Sequence, residues 1–251
     1  MTAPFFLVES LDISADGVIV VEGAEGRHAV SVRRLTVDEP VLVGNGSGLV
    51  ASGVVSAASG RDRLEVRVLE VVEHPAPSPQ LIVVQALAKG DRGELSVELL
   101  TEVGVDSIVP WAASRSIAQW RGEKAERGVL KWQSTAREAA KQSRRAFLPE
   151  VRALASTRHV VALIAEVVAS GGIALVLHEQ AIRRIRSDLL EPVSTVLLVV
   201  GPEGGISDDE KASFEQAGAV AVHLGPTVLR TSTAGVVASA IVLAATPRWD
   251  G

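Results

Sequence analysis

The stretch VVGPEGGISDDE, residues 199–210, ends an apolar run on a glycine-rich loop and then starts a helix. The run begins at Thr195, and its composition is typical of a strand buried in a parallel sheet. Ser207 and Glu210 stand at the spacing of a capping box, which predicts the first turn of a helix. We therefore expect a strand, a backbone-lined loop at its carboxyl end, and a helix.

Strands and helices alternate on both sides of this stretch. Further strands are predicted at 81–88, 107–110, 173–177 and 220–224, and helices at 94–103, 123–145, 160–169 and 233–246. This alternation predicts an α/β domain with a mostly parallel sheet. The first helix is expected to place Leu95, Leu99, Leu100 and Val103 on one face. The last helix is apolar nearly all round, which indicates burial inside the domain or against a second subunit.

The amino-terminal part has a different pattern. Short strands are predicted at 17–21, 41–44 and 64–69, and Gly44–Gly48 has the composition of a hairpin turn. These features favour a small barrel or sandwich. Three alternating prolines within residues 73–80 forbid a central strand and mark a boundary. We predict one domain at 1–73 and a second at 80–251.

Composition excludes several classes of site. The 251 residues include no cysteine, which rules out disulfides, thiolate zinc sites and a cysteine nucleophile. The five histidines are scattered, without an HxxxH pair, so no metal site is expected. No segment is long and apolar enough to cross a membrane, and the first residues do not have the pattern of a signal peptide. We expect a cytoplasmic protein without membrane contact.

Three loops are expected at the carboxyl edge of the sheet, where open α/β sheets bind ligands. They are 177–179, 201–205 and 224–234. The GPEGG loop matches neither the P-loop pattern nor GxGxxG, so spacing assigns it to neither ATP nor NAD. On spacing alone, a tight turn followed by an ordinary helix cap explains it equally well. The third loop, LGPTVLRTSTA, is long and irregular, which is typical of a functional segment.

These motifs together resemble the RsmE family of ribosomal RNA methyltransferases, in the SPOUT superfamily. The resemblance rests on GPEGG and LGPTVLRTSTA, and on AKGDRGE (88–94), TEVGVDSIVP (101–110), REAAKQSRR (137–145) and His28 with VRR (32–34). It implies a PUA-like β-barrel followed by a domain tied in a trefoil knot. It also implies a homodimer that methylates N3 of a uridine in small-subunit (16S) ribosomal RNA, with S-adenosyl-L-methionine as cofactor.

The resemblance assigns roles to individual residues. The cofactor-binding residues are expected to be Leu177, Gly201, Gly204, Gly205, Leu224, Gly225, Leu229, Thr231, Ser232 and Ala234. Arg230 is the candidate for stabilising negative charge on the base. Glu203 is a candidate for accepting a proton or orienting the cofactor. The alternatives are a salt bridge between Arg230 and Glu203, a phosphate contact for Arg230, and a helix-dipole role for Glu203.

Basic residues concentrate in one segment of this net-acidic chain. Residues 111–152 contain ten Lys or Arg against four acids, although the chain as a whole carries −5. This asymmetry favours a phosphate-facing patch over a solvated helix face. The predicted RNA-binding residues are Arg27, His28, Arg33, Arg34, Lys89, Arg115, Arg137, Arg144 and Arg145. Trp111, Trp120 and Trp132 are candidates for base stacking, but packing in the core or a dimer is favoured for at least two.

Three positions depart from the family pattern. Ser232 stands where glutamate is common, and serine there is expected to cap the last helix. Gly93 replaces a bulkier residue, and Arg33 replaces a leucine. Three rival functions stay open: a non-catalytic PUA-like module for RNA binding and dimerisation, a SPOUT methyltransferase acting on another RNA, and an enzyme that binds a nucleotide phosphate on the glycine loop.

Overall fold

The computed structural model describes residues 3–190 and 193–249. Within them the chain forms two compact units. The first contains the residues up to Ala76 together with Ala140–Leu148, and the second contains Pro77–Ala139 and the residues from Pro149 onward. Residues 140–148, which the sequence pattern had placed in the second domain, thus lie with the first unit.

The first unit contains a curled half-barrel sheet. Its strands are β1 (Phe5–Leu7), β2 (Val18–Val21), β3 (Pro40–Gly44), β4 (Leu49–Ser59) and β5 (Arg63–Glu73), in the order β1-β3-β4-β5-β2. Two register shifts between β4 and β5 increase the local bend and twist. A short helix, α1 (Gly23–Arg27), and a π-helical turn, His28–Val32, lie between β2 and β3. The predicted β-rich character of this unit is confirmed.

The hairpin turn between β3 and β4 has the predicted chemistry. The Asn45 side-chain oxygen accepts hydrogen bonds from the amides of Ser47 and Leu49. Residues 140–148 contact this turn, because the Leu148 amide donates to the Gly46 carbonyl. The segment also brings Lys141 to Glu25 at 3.0 Å, with both side chains nearly buried. The late segment is therefore part of the small unit's packing.

The second unit contains a parallel sheet, as predicted. Its described strands are β6 (Gln80–Ala86), β7 (Ser107–Ala112), β8 (Glu150–Val151), β9 (Ala155–Ser156), β10 (Ile173–Leu177), β11 (Arg183–Arg184), β12 (Thr195–Val200) and β13 (Val220–His223). The order is β11-β13-β10-β12-β6-β7-β8, with β9 also beside β7. Every described pair is parallel, so all carboxyl ends point to one edge of the sheet.

Helices cover both faces of this sheet. The described helices are α2 (Arg92–Val103), α3 (Glu123–Gln142), α4 (Thr157–Ala169), α5 (Asp208–Gln216) and α6 (Thr231–Ala244). Alternate residues of β6 join opposite cores, as the period of a strand requires. Leu81 packs in one cluster with Leu100 of α2, and Ile82 packs in the other with Ile164 of α4. This alternation makes β6 a central strand buried on both sides.

The helices differ from their sequence patterns in several details. Leu95 is 43% exposed, whereas Val97 and Leu100 are buried, because α2 turns that side towards the sheet and α6. Helix α3 ends at Gln142 rather than at 145, and Arg144 lies in the left-handed region with φ of 54°. Helix α6 runs from Thr231 to Ala244. Its core-facing residues are buried, but one apolar side is only half-buried: Val236, Val237, Ala240 and Ile241.

Candidate functional site

A cavity of about 580 Å³ lies in the second unit at the carboxyl edge of the sheet. It is lined by the segments that follow three neighbouring strands: 177–180 after β10, 201–206 after β12 and 224–231 after β13. Its volume falls within the range of about 300–1,000 Å³ that is typical of small-molecule sites. The three predicted loops therefore converge on one cavity.

The cavity brings together most residues that were predicted to bind a cofactor. Nine of the ten line it: Leu177, Gly201, Gly204, Gly205, Leu224, Gly225, Leu229, Thr231 and Ala234. Ser232 is not among the lining residues in the described part of the chain. It is buried in the first turn of α6, whose N-cap is Arg230. The predicted capping role of Ser232 is therefore wrong, because the helix begins at Thr231, one residue earlier.

Two glycines bring main chain to the cavity wall where a side chain would not fit. A Cβ atom on Gly201 would lie 2.7 Å from Cγ1 of Ile206, and one on Gly204 would lie 3.1 Å from Cβ of Arg115. Both distances are shorter than ordinary carbon contacts. At these two positions the wall consists of peptide groups, which offer hydrogen-bond donors and acceptors.

Gln85 connects the 201–205 loop and the 224–234 loop through Thr231. This residue of β6 is fully buried, and its Nε2 donates to Oγ1 of Thr231 at 3.0 Å. The Thr231 hydroxyl in turn donates to the Gly201 carbonyl at 2.7 Å. The Oε1 of Gln85 has no hydrogen-bond partner. Sequence reasoning missed this residue, although a single amide inside the apolar run LIVVQALA was a visible signal.

Glu210 fixes the other end of the glycine loop. The capping box is confirmed, since Ser207 and Glu210 exchange side-chain and backbone hydrogen bonds. The buried carboxylate also accepts from the Ser114 amide at 2.8 Å and from the Thr157 hydroxyl at 3.0 Å. Burial raises the pKa of Glu210, but the hydrogen bonds from Ser114 and Ser207 outweigh it, and the pKa is lowered. The Ser114 and Thr157 contacts were not predicted.

The two candidate catalytic residues lie on the cavity wall in different surroundings. The Glu203 carboxylate accepts hydrogen bonds from the Lys89 amide at 3.1 Å and from Nη1 of Arg92 at 3.4 Å. Arg230 is exposed, and its guanidinium has no side-chain partner among the described residues. Glu203 thus pairs with Arg92 instead of Arg230, and it contacts the loop before α2 instead of the start of α5.

Comparison with known proteins identifies the family. Residues 74–243 match the RNA methyltransferase domain, and residues 21–69 match the RNA methyltransferase PUA domain. The chain is 46% identical over 250 residues to the ribosomal RNA small subunit methyltransferase E of Mycobacterium bovis. That similarity covers 100% of this chain and 95% of the relative. The chain belongs to the ribosomal RNA small subunit methyltransferase E, or RsmE, family.

Solved structures show the same fold. A structure from Legionella pneumophila, in complex with its bound cofactor SAM, superposes with a TM-score of 0.84 at 26% identity and covers 98% of each chain. The ribosomal RNA small subunit methyltransferase E of Neisseria gonorrhoeae, bound to S-adenosyl methionine, gives a TM-score of 0.84 at 24% identity. It covers 97% of this chain and 98% of its own. The RsmE fold therefore extends over nearly the whole chain.

The predicted RNA-binding residues of this RsmE-family chain are divided between the units. Arg27, His28, Arg33, Arg34, Arg144 and Arg145 lie in the first unit, whereas Lys89, Arg115 and Arg137 lie in the second. His28, Arg137 and Arg145 are half-buried, and the other six are exposed. Arg115 lines the cavity, which the sequence did not indicate. Their binding of RNA stays a prediction.

The tryptophans belong to the packing of the second unit. Trp111 and Trp132 are buried, and Trp120 stacks edge-on against Trp132 with 5.2 Å between ring centroids. This arrangement agrees with the expectation that at least two of the three serve packing. Within residues 3–190 and 193–249, no group of three or more potential metal ligands occurs. In the same residues no helix has the length and hydropathy that crossing a membrane requires.

Proposed function

We propose that this RsmE-family chain transfers a methyl group from S-adenosyl-L-methionine to N3 of a uridine in small-subunit (16S) ribosomal RNA. The observation that carries the proposal is the convergence of three loops on one cavity, with nine of the ten predicted cofactor-binding residues in its wall. Family membership supports the reaction class, and the related structures with bound cofactor support the choice of S-adenosylmethionine.

The cavity has the properties that this cofactor requires. Its volume suits a nucleoside with an amino-acid tail, and Gly201 and Gly204 in its wall have no side chains to cover their peptide groups. We assign the recognition of adenine and ribose to backbone groups of 201–205 and 224–229. When bound, the cofactor supplies an electrophilic methyl group on a sulfonium. The protein's task is to hold the nucleophile in line with it.

Uridine N3 is a weak nucleophile until its proton passes to a general base or to solvent water. Loss of that proton places negative charge on the flanking carbonyl oxygens of the base, and a nearby cation stabilises this charge. Arg230 is our candidate, because its guanidinium stands on the cavity wall without a protein partner in the described part of the chain. A neutral or already paired side chain would contribute less.

We assign an orienting role to Glu203. Its carboxylate connects the glycine loop to the Lys89–Arg92 segment through the Lys89 amide and the Arg92 guanidinium. Both contacts go to Oε1, so protonation of Oε2 would leave them in place, but it would remove the negative charge that pairs with the Arg92 guanidinium. The orienting role keeps both hydrogen bonds and holds two walls of the cavity together.

The remaining parts of the proposal concern partners. The first unit matches a PUA domain of RNA methyltransferases, which supports a role in binding ribosomal RNA, free or in the assembled small subunit. The half-buried apolar side of α6 supports a homodimer, since a partner would remove that surface from water. The trefoil knot is a prediction from the family resemblance, and a cytoplasmic location is a prediction from the sequence composition.

The test is methyl transfer from labelled S-adenosylmethionine to small ribosomal subunits that lack their native methylation, with naked ribosomal RNA in parallel. Nucleoside analysis of the product should show 3-methyluridine. A different methylated nucleoside would contradict the N3 assignment. Cofactor binding with no label in either substrate would favour a different RNA. RNA binding without any cofactor binding would favour the non-catalytic module.

A further inference from the structure

The outermost strand on one side of the sheet in the second unit is basic and exposed. Strand β11 stands at the end of the strand order and pairs only with β13 in the described part of the chain. Ile182, just before it, is 95% exposed, and Arg183, Arg184 and Arg186 are exposed as well. We call residues 182–186 the basic edge. None of them belongs to the RNA-binding set predicted from the sequence.

Two positive charges on the basic edge are not compensated by the protein. Arg186 forms an ion pair with Asp188 at 3.0 Å. Arg183 and Arg184 have no ion pair among the described residues. Both side chains are exposed, so their guanidinium groups are available to a ligand. They are well suited to phosphate oxygens, which they can bind with two parallel hydrogen bonds.

The basic edge is continuous with the rim of the cavity. Arg183 pairs in register with Val222 and Arg184 with His223, and both of these β13 residues line the cavity. Gln180, which precedes the edge, lines the cavity and also a smaller depression of about 370 Å³. Arg183 and Lys211 border that depression. A ligand that leaves the cavity across Gln180 therefore meets these cations next.

The arrangement suits a polyanion better than a peptide. Consecutive strand residues point to opposite faces of a sheet, so Arg183 and Arg184 place one cation on each side of the edge. A chain of phosphates that crosses the edge can contact both. A peptide that added as a further strand would find a ladder of only two residues in β11, which gives few main-chain hydrogen bonds.

We propose that the basic edge binds the phosphate backbone of the substrate RNA beside the target nucleotide, with Arg183 and Arg184 as its phosphate contacts. The inference rests on the proposed function, because it takes the RNA to be the molecule whose base enters the cavity. It adds a contact surface on the methyltransferase unit itself. Ile182 offers an apolar surface to a sugar or a base at the same place.

The test compares the wild-type chain with Arg183→Gln, Arg184→Gln and the double variant. The matched control is Arg158→Gln, an equal charge change at an exposed residue of α4 that lines neither depression. Affinity for a small-subunit ribosomal RNA fragment is measured over a salt series. We expect the double variant to bind about tenfold more weakly, and its salt slope to fall by about 1.4, or roughly 0.7 per lost phosphate contact.

The outcomes separate this inference from the proposed function. Affinity for S-adenosylmethionine, measured by calorimetry, should be unchanged in all variants, which excludes misfolding as the cause. An unchanged RNA affinity and salt slope in the double variant would contradict RNA binding by the basic edge. An equal loss of RNA affinity in Arg158→Gln would contradict it as well. A weaker affinity with the wild-type slope would also overturn it. RNA binding through the edge without methyl transfer would contradict only the proposed function.

Discussion

The two ends of the parallel sheet in the second unit differ in whether a charged side chain is paired within the protein. At the amino end, the Asp106 carboxylate accepts from the Leu81 amide at 2.8 Å and from both terminal nitrogens of Arg248, at 2.5 and 3.1 Å. At the carboxyl end, Arg230 has no side-chain partner among the described residues. The charged pair at the amino end is formed within the protein, whereas the Arg230 guanidinium at the carboxyl end is available to a ligand.

The largest effect is expected from breaking the Asp106–Arg248 ion pair at the amino end of the sheet. Arg248→Met breaks a nearly buried ion pair with Asp106, which we expect to lower the free energy of unfolding by about 3–5 kcal/mol. Denaturant unfolding measures this change. The control is Arg127→Met, which breaks an exposed pair with Glu123 and should cost no more than about 1 kcal/mol. Equal losses in the two variants would contradict the comparison.

Removing the Arg230 charge at the carboxyl end of the sheet should affect turnover instead of stability. We expect Arg230→Gln to lower turnover by about 10²–10³-fold with cofactor saturating, because charge on the base then develops without a counter-charge. Its free energy of unfolding should change by less than about 0.5 kcal/mol, since the side chain is exposed. Kinetics beside the Arg158→Gln control test this, and near-normal turnover would remove Arg230 from the mechanism.

Glu210 tests whether a buried, hydrogen-bonded carboxylate at the carboxyl end of the sheet stabilises the fold. Glu210→Gln should cost about 1–3 kcal/mol at pH 7, because hydrogen bonds to a buried carboxylate are lost. The pKa of Glu210 lies below its ordinary value of 4.5, so the stabilisation is complete above that value and is lost as the pH falls through the folded-state pKa. The difference from wild type should therefore shrink in acid.

Unfolding at several pH values between 7 and 3 measures that difference. Glu215→Gln is the control on the same helix, where the carboxylate is half exposed and lies 3.8 Å from Lys211. It should show little cost at any of these pH values. A Glu210→Gln cost that stays constant down to pH 3 would show that ionisation of this carboxyl does not stabilise the fold.

The smallest effect is expected from removing the single hydrogen bond between Gln85 and Thr231. Gln85→Met removes the donor to Thr231, but it also removes an unpaired buried oxygen, so stability should change by less than about 1 kcal/mol. Affinity for S-adenosylmethionine should fall about three- to tenfold, since the Thr231–Gly201 link loses its anchor. The control is Gln133→Met, which loses a hydrogen bond outside the cavity. Equal affinities in both variants would contradict a role for Gln85.

Local patterns predicted much of this unit, whereas partners distant in sequence could not be predicted. The strand at 195–200, the glycine loop and the capping box of Ser207 and Glu210 are properties of contiguous residues, and the structure has all three. The contacts of Gln85 with Thr231 and of Glu210 with Ser114 join residues far apart in the chain. Leu95 fits the period of a buried helix face, but the position of α6 decides which face is buried.

One departure from the family pattern has a structural explanation. Gly93 is buried, and a Cβ atom there would lie 3.2 Å from the Trp132 ring. The indole of Trp132 therefore occupies the space beside α2 that a larger residue at 93 would need. The sequence shows the glycine, but only the structure shows the ring against it.

The strand order also has a consequence for synthesis of the chain. The central strand β6 pairs with β12, so that Gln80 must find Thr195. At a synthesis rate of about 5–20 residues per second, β12 follows β6 out of the ribosome on the order of ten seconds later. During that interval one side of an apolar strand has no partner, which exposes the nascent chain to aggregation. The cavity, whose walls come from β12 and from the later β13 and α6, is completed only after that delay.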